Sequence, residues 1–251
     1  MIIDKPTLAQ IPTLNTLWQQ AFGDPEPFVD CFFSAGFSPE RCRCITIDGE
    51  AVAALYWFDC VWQNKKLAYL YAVATEKAHR GQGLCRKLME NTHNHLQASG
   101  YHGAVLVPST PALAAMYQKA GYTPFRFVDT VSVFANGPTC PVNEISAGEF
   151  ENLRKNFLPA NSVVQNTETY TFLATFCRFF LGEDFLLCAS QENSTLYVQE
   201  FLGNQEKLPG ILTAMQLKKA VTKISGSNIF AMYRSFTQDK QLPGYFGIAL
   251  D

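Results

Sequence analysis

The residues whose types and spacing could do chemistry lie together in Ala74-Thr75-Glu76-Lys77-Ala78-His79-Arg80-Gly81-Gln82-Gly83-Leu84-Cys85. Before them, Leu67 to Val73 is a continuous apolar and aromatic run of strand length, as expected of a strand buried on both faces. After them, Leu84, Leu88 and Leu96, with Cys85 and Met89 beside the first two, predict an amphipathic helix over residues 84–98. A glycine-rich loop between a strand end and a helix start has a definite chemistry. The first amides of a helix have no internal partners and carry the positive end of its dipole. Gly81 and Gly83 remove side chains that would hold a ligand off the backbone, and Arg80 adds a cation. A pyrophosphate is the natural guest, although such a junction also serves as an ordinary turn.

Other clusters point elsewhere. The eight cysteines are scattered through apolar surroundings and read as buried free thiols. Cys42 and Cys44 share one face of a predicted strand, but no C-x-x-C or second pair at zinc spacing accompanies them, so no metal is expected. His93 and His95, two apart on a helix, diverge by about 200° and read as surface or boundary residues. No G-K-[ST] follows the glycines, which excludes a P-loop. A net charge of −2 without long single-sign blocks argues against nucleic acid or an anionic membrane and favours a small-molecule ligand. The chain has no membrane-length apolar run and starts without a signal-peptide pattern, so a cytoplasmic location is expected.

The elements that must position the loop follow from periodicity. Helices are predicted over residues 7–22 and 27–34, then a hairpin of residues 43–47 and 51–62 turning at Asp48-Gly49, then the central strand, the loop and the helix. A short strand, Gly103 to Val107, is closed by Pro108; Pro111 opens a helix over residues 112–120 that ends at Gly121. A strand pair, residues 123–128 and 130–134, completes a first domain of residues 1–135, with a linker over 136–144 and a second α/β domain over 145–251.

With these motifs in order, the first 135 residues resemble the GNAT superfamily of acetyl-coenzyme A-dependent N-acetyltransferases. Arg80-Gly81-Gln82-Gly83-Leu84-Cys85 matches its R/Q-x-x-G-x-G/A signature except that Cys85 replaces Gly or Ala, and Ala115-Met116-Tyr117-Gln118-Lys119-Ala120-Gly121-Tyr122 resembles its later A-x-x-Y-x-x-x-G-F segment. The resemblance implies a mixed α/β (α+β) fold whose central, mostly antiparallel sheet contains a splayed strand pair flanked by helices. It implies acetyl-CoA as co-substrate and a primary amine of a small molecule or peptide as acceptor. The backbone of Val73, Ala74 and Thr75 would meet the pantetheine arm and acetyl carbonyl, and Arg80, Gly81, Gln82, Gly83, Leu84, Cys85 and Arg86 the pyrophosphate. Tyr117 stands at the general-acid position, or simply covers the cofactor; Thr110 stands where many members have an Asn on the cofactor. The strand Gly103 to Val107 lacks the carboxylate that serves some members as base. Glu76 and Asp59 are the nearest replacements in chain order, and both also read as solvated surface carboxylates. A rival expectation is an acyl-CoA-binding sensor without turnover.

The second half carries no comparable motif. Helices are predicted over residues 146–157, 167–181 and 209–220, a hairpin over 186–189 and 196–201, and a strand over 229–236. The order echoes the first half, with Leu196-Tyr197 answering Leu70-Tyr71. In that ungapped alignment Glu206 falls at Arg80 and Pro209 at Gly83, replacing a cation by an anion and deleting an amide, so this half is expected not to hold a pyrophosphate. It reads as a degenerate GNAT-like domain forming one acceptor wall, or as plain cover for sheet surface. The terminal Asp251 is a further candidate base.

Overall fold

The computed structural model describes residues 1–250. The elements in chain order are β1 (Ile2–Asp4), α1 (Ile11–Phe22), α2 (Glu26–Cys31), β2 (Cys42–Ile47), β3 (Glu50–Trp62), β4 (Lys65–Thr75), α3 (Leu84–Ala98), β5 (Gly103–Leu106), α4 (Pro111–Lys119), β6 (Thr123–Phe134), β7 (Asn143–Ile145), α5 (Ala147–Phe157), β8 (Val164–Gln165), α6 (Thr167–Leu173), β9 (Arg178–Leu181), β10 (Phe185–Glu192), β11 (Thr195–Gly203), α7 (Leu208–Ala214), β12 (Lys219–Ser225) and β13 (Asn228–Ser235). They form two compact units. The first is Met1–Thr123 with Met232–Leu242; the second is Pro124–Ala231 with the chain from Pro243 onward. Among the described residues no helix is long and apolar enough to cross a membrane.

The first unit has strand order β1-β2-β3-β4-β5, ending on the Met232–Ser235 part of β13. All neighbours are antiparallel except β4 with β5. The mixed, mostly antiparallel α/β architecture expected from the sequence is therefore present. The middle of β3, Ala51 to Phe58, is buried throughout, as a central strand covered on both faces must be. Helix α1 packs on β3 and β4 through Leu14, Leu17 and Trp18, and the Trp18 ring meets Phe32, Tyr56 and Tyr71. Helix α3 buries Leu84, Leu88, Met89 and Leu96 against the sheet, the apolar stripe read from its spacing.

The second unit repeats this plan, with order β7-β9-β10-β11-β12-β6, antiparallel except β11 with β12. Two helices, α5 and α6, separate its first two strands, as α1 and α2 do in the first unit, and α7 stands where α3 stands. The sixth strands are exchanged along the chain. β6 follows the first unit's helices yet pairs with β12, while the end of β13 returns to β5. The chain therefore passes between the compact units at 123/124, 231/232 and 242/243.

Several local expectations are corrected. Residues 167–181 are not one helix: α6 closes where Cys177 N–H bonds the Leu173 carbonyl, and Arg178 to Leu181 become β9, with Phe179 and Phe180 buried. The helix expected over 209–220 ends at Ala214, Gln216 adopts a left-handed backbone (φ 57°), and Lys219 starts β12. In both places a short apolar run fits either period, and tertiary pairing decides. The strand pair expected around Asp129 is one continuous strand, whose Asp129 carboxylate accepts from Ser227 N–H and Asn228 Nδ2 at the turn joining β12 to β13.

Candidate active site

The loop of residues 76–83 joins β4 to α3, as the sequence indicated. Gly81 (φ 79°) and Gly83 (φ 75°) occupy the left-handed region, and nothing lies within 4 Å of a Cβ built on either. Their glycine identity therefore serves the backbone conformation and leaves open space beside it. Gly83 is the N-cap of α3, and the first amide at the helix start with a backbone acceptor is Lys87 N–H, on the Gly83 carbonyl. Among the described residues no acceptor takes the amides of residues 81–86, so six consecutive donors converge on an exposed helix start. Arg80 is not wholly free for a ligand, because its Nε donates to the Thr75 carbonyl at 3.0 Å. Gln82 Nε2 reaches back to Ala78 O at 3.4 Å, and Arg86 lies 3.9 Å from Glu90 on the surface.

Strand β4 pairs with β3 along its length, to Thr75 opposite Ala53, but with β5 only through Leu67, Ala68 and Tyr69. Beyond Tyr69 it has no β5 partner, so Val73, Ala74 and Thr75 lie on a stretch of strand open on that side. Within the stretch the register slips opposite Leu55, and Ala72 adopts a left-handed backbone (φ 48°). A bulge of this kind re-aims the peptide groups that follow it, and a strained non-glycine residue is a feature of functional positions. Sequence reasoning missed Ala72, since alanine gives no signal of left-handed geometry.

Tyr117 is on α4, which Thr110 caps through its hydroxyl, accepting Leu113 N–H at 3.2 Å. Thr110 thus has a structural partner of its own. The Tyr117 ring packs edge-on against Tyr122 with centroids 5.8 Å apart, and the residue is 6% exposed. Burial, with Cys85 nearby as a lesser cause, pushes the phenol pKa well above the usual tyrosine range. No hydrogen-bond partner for the hydroxyl occurs among the described residues. Cys85 is half-buried, and burial raises its thiol pKa too, so both groups are neutral at physiological pH.

The carboxylates are distributed differently from their expected grouping. Asp59 pairs across from Ala68, toward the start of β4 and away from Val73 to Thr75. Its Oδ1 accepts the Tyr101 hydroxyl at 2.5 Å and its Oδ2 lies 3.5 Å from Lys66 Nζ. Glu76 sits one residue past the open stretch, its N–H on the Val52 carbonyl and its carboxylate 2.6 Å from His79 Nδ1. The two line a cleft of about 430 Å³ with Asp48 and the Thr13, Thr16 and Gln20 face of α1. Asp251 lies outside the described residues. His93 is a correction: it is buried, not at the surface, with Nε2 2.8 Å from the Tyr122 hydroxyl and its ring beside Phe236. Burial first, and then Arg234, lowers its pKa to about 3.

Residues 3–125 match the profile of the acetyltransferase (GNAT) domain. The fold resembles a GCN5-related N-acetyltransferase from Anabaena variabilis (TM-score 0.74, 16% identity, 93% of this chain and 72% of the other). It also resembles GCN5-related N-acetyltransferases from Kribbella flavida (TM-score 0.69, 16% identity, 93% and 70%) and Sphaerobacter thermophilus (TM-score 0.54, 11% identity, 96% and 97%). No curated protein matches the chain in sequence.

Proposed function

Residues 3–125 form a GNAT acetyltransferase domain, and from this we propose that the protein transfers an acetyl group from acetyl-CoA to a primary amine, of a small molecule or a peptide, by direct attack. The observation that carries the reading is the row of six unpartnered amides at residues 81–86 beside a strand that has lost its β5 neighbour. These are a pyrophosphate cradle and an open backbone edge in sequence, which suit the two ends of coenzyme A. The amides of Gly81 to Arg86 would hold the pyrophosphate, and the backbone of Val73 to Thr75 the pantetheine arm and the acetyl carbonyl. Cys85 contributes its amide as Gly or Ala would. Acetyl-CoA supplies a thioester, whose carbonyl carbon is the electrophile.

The chain's own groups have three tasks. A backbone N–H on the bulged stretch of β4 faces developing negative charge with a dipole fixed beforehand. Tyr117, kept protonated by burial, donates to the departing thiolate sulfur. The amine, with a pKa near 10.4 when free, must shed a proton before it attacks. We assign that proton to Glu76, because Asp59 is engaged by Tyr101 and Lys66 while Glu76 is held by a histidine able to pass the proton on.

Thiol release from acetyl-CoA across a panel of primary amines, with calorimetry for coenzyme A binding, tests the reading. Turnover of at least one amine, with a Glu76→Gln variant losing most of that rate, is expected. Coenzyme A binding with no turnover of any amine would leave a binding protein instead.

A further inference from the structure

In the second unit, β11 and β12 pair in parallel only over Thr195 to Tyr197 with Lys219 to Val221, and then part. A register slip between Cys188 and Ala189 puts an extra residue, Gln199, into β11 just beyond the pairing. This is the same divergence that β4 and β5 make in the first unit. A cavity of about 220 Å³ lies along the diverging stretch, Val198 to Gly203. We propose that this cavity is a binding site for a small carboxylate with an apolar or aromatic body, held through Arg126 and Lys223.

A pyrophosphate does not suit it. The connection is cut to residues 204–207, where Asn204 Oδ1 takes Glu206 N–H at 3.0 Å and the Asn204 carbonyl takes Lys207 N–H at 3.2 Å. Pro209 has no N–H to give. The helix start therefore lacks the free donors of residues 81–86.

The charge of the cavity comes from its side chains. Glu200, the one lining carboxylate among the described residues, is already paired: Arg154 Nε and Nη2 donate to its two oxygens at 2.6 and 2.8 Å, and the Tyr245 hydroxyl adds a third bond at 3.1 Å. Burial opposes the Arg154 charge, but Glu200 outweighs it and pushes the guanidinium pKa up, so the cation stays on the Glu200 carboxylate. That leaves Arg126 and Lys223 as the cations of the wall. The Arg126 guanidinium lies over the Tyr245 ring, 5.0 Å from its centroid, and its Nε is buried without an acceptor. A buried donor left unmade is costly. A guanidinium gives a carboxylate two parallel bonds in a fork, so the Arg126 head on the cavity wall suits such a ligand. Val198, Phe201, Phe230 and Phe246 set an apolar patch beside the polar Gln199 and Gln205, and the volume falls below the ~300 Å³ at which drug-sized sites begin. A short acyl or single-ring carboxylic acid fits these terms.

The probe is 4-fluorobenzoate, followed by fluorine NMR on the full chain, with 4-fluorobenzyl alcohol and inorganic phosphate as comparisons. Saturable binding of the benzoate, absent for the alcohol, is expected. Arg126→Gln should weaken it at least tenfold and Lys223→Gln severalfold, with circular dichroism reporting that each variant is folded. Arg80→Gln, in the first unit's loop, should leave it unchanged. No saturable binding by the wild-type chain, equal affinity in both wall variants, or displacement by coenzyme A would overturn the proposal. Phosphate binding in preference to the benzoate would overturn it too.

Discussion

Replacing Tyr117 by Phe separates a catalytic hydroxyl from a structural one. The ring's contact with Tyr122, at 5.8 Å between centroids, survives in Phe. The hydroxyl has no protein partner among the described residues and is not among the buried unpaired atoms, so its removal strands no buried acceptor. Unfolding free energy should therefore stay within about 0.5 kcal/mol of wild type. Catalysis should respond differently. A general acid contributes about 10²–10⁴-fold, which at about 1.4 kcal/mol per decade is roughly 3–5 kcal/mol of barrier. The assay is thiol release at saturating acetyl-CoA and amine, alongside chemical unfolding and coenzyme A calorimetry. Because burial raises the phenol pKa above its ordinary value, the proton is still present at pH 10, and the wild-type rate should show no alkaline fall from this group below that pH. A kcat within about twofold of wild type would refute the acid role. A weaker coenzyme A affinity at unchanged kcat would make the hydroxyl a binding group instead.

Three further outcomes are expected. Gly83→Ala puts a Cβ into open space but on a φ of 75°, so unfolding should lose about 1–2 kcal/mol from backbone strain alone, and calorimetry should show weaker coenzyme A binding; full affinity would remove the N-cap from the cradle. Glu200→Gln leaves Arg154 charged and buried, at a cost of about 3–5 kcal/mol in urea unfolding, most of it recovered in Arg154→Met/Glu200→Leu; a double variant as weak as the single one contradicts the ion-pair account. His93 titrates at about 3 in the fold against about 6.5 unfolded. The unfolded chain binds the extra proton, so stability is full above pH 6.5 and falls between about 6.5 and 3 by up to ~1.4 kcal/mol per pH unit. His93→Asn should be flatter over that range, and parallel pH curves for the two proteins would disprove it.

The parts of the site legible in the sequence are those written locally. Gly81 and Gly83 need a left-handed backbone, and the stripe of Leu84, Leu88 and Leu96 needs a helix, so a strand-loop-helix cradle follows from neighbouring residues. Tyr117 was legible as the member of a second motif. What escaped depends on distant partners. Isolated on a helix, His93 reads as a boundary residue; Tyr122 and Phe236 bury it. Asp59 is close to β4 in chain order, but hairpin register sets it opposite Ala68 instead of Val73. The exchange of β6 and β13 has no local signature, because the sheet each strand joins is set by partners distant in sequence, β12 for β6 and β5 for the end of β13.

The echo between the two halves illustrates how pairing corrects alignment. An ungapped comparison sets Leu196-Tyr197 on Leu70-Tyr71, whereas the parallel ladders set them on Ala68-Tyr69. Past the strands the connections differ in length, residues 76–83 against 204–207, so no ungapped register can hold on both sides. In the second unit Glu206 N–H is taken by Asn204 Oδ1, and Pro209 has no N–H to give. The shortened connection spends its amides on Asn204, while the longer one, turned by two left-handed glycines, leaves its amides for a ligand. The same strand order and the same divergence thus frame both units, and the frame by itself does not specify a ligand. Loop length and the charge on the flanking strands do: a row of bare amides in the first unit, and two cations over an already paired carboxylate in the second.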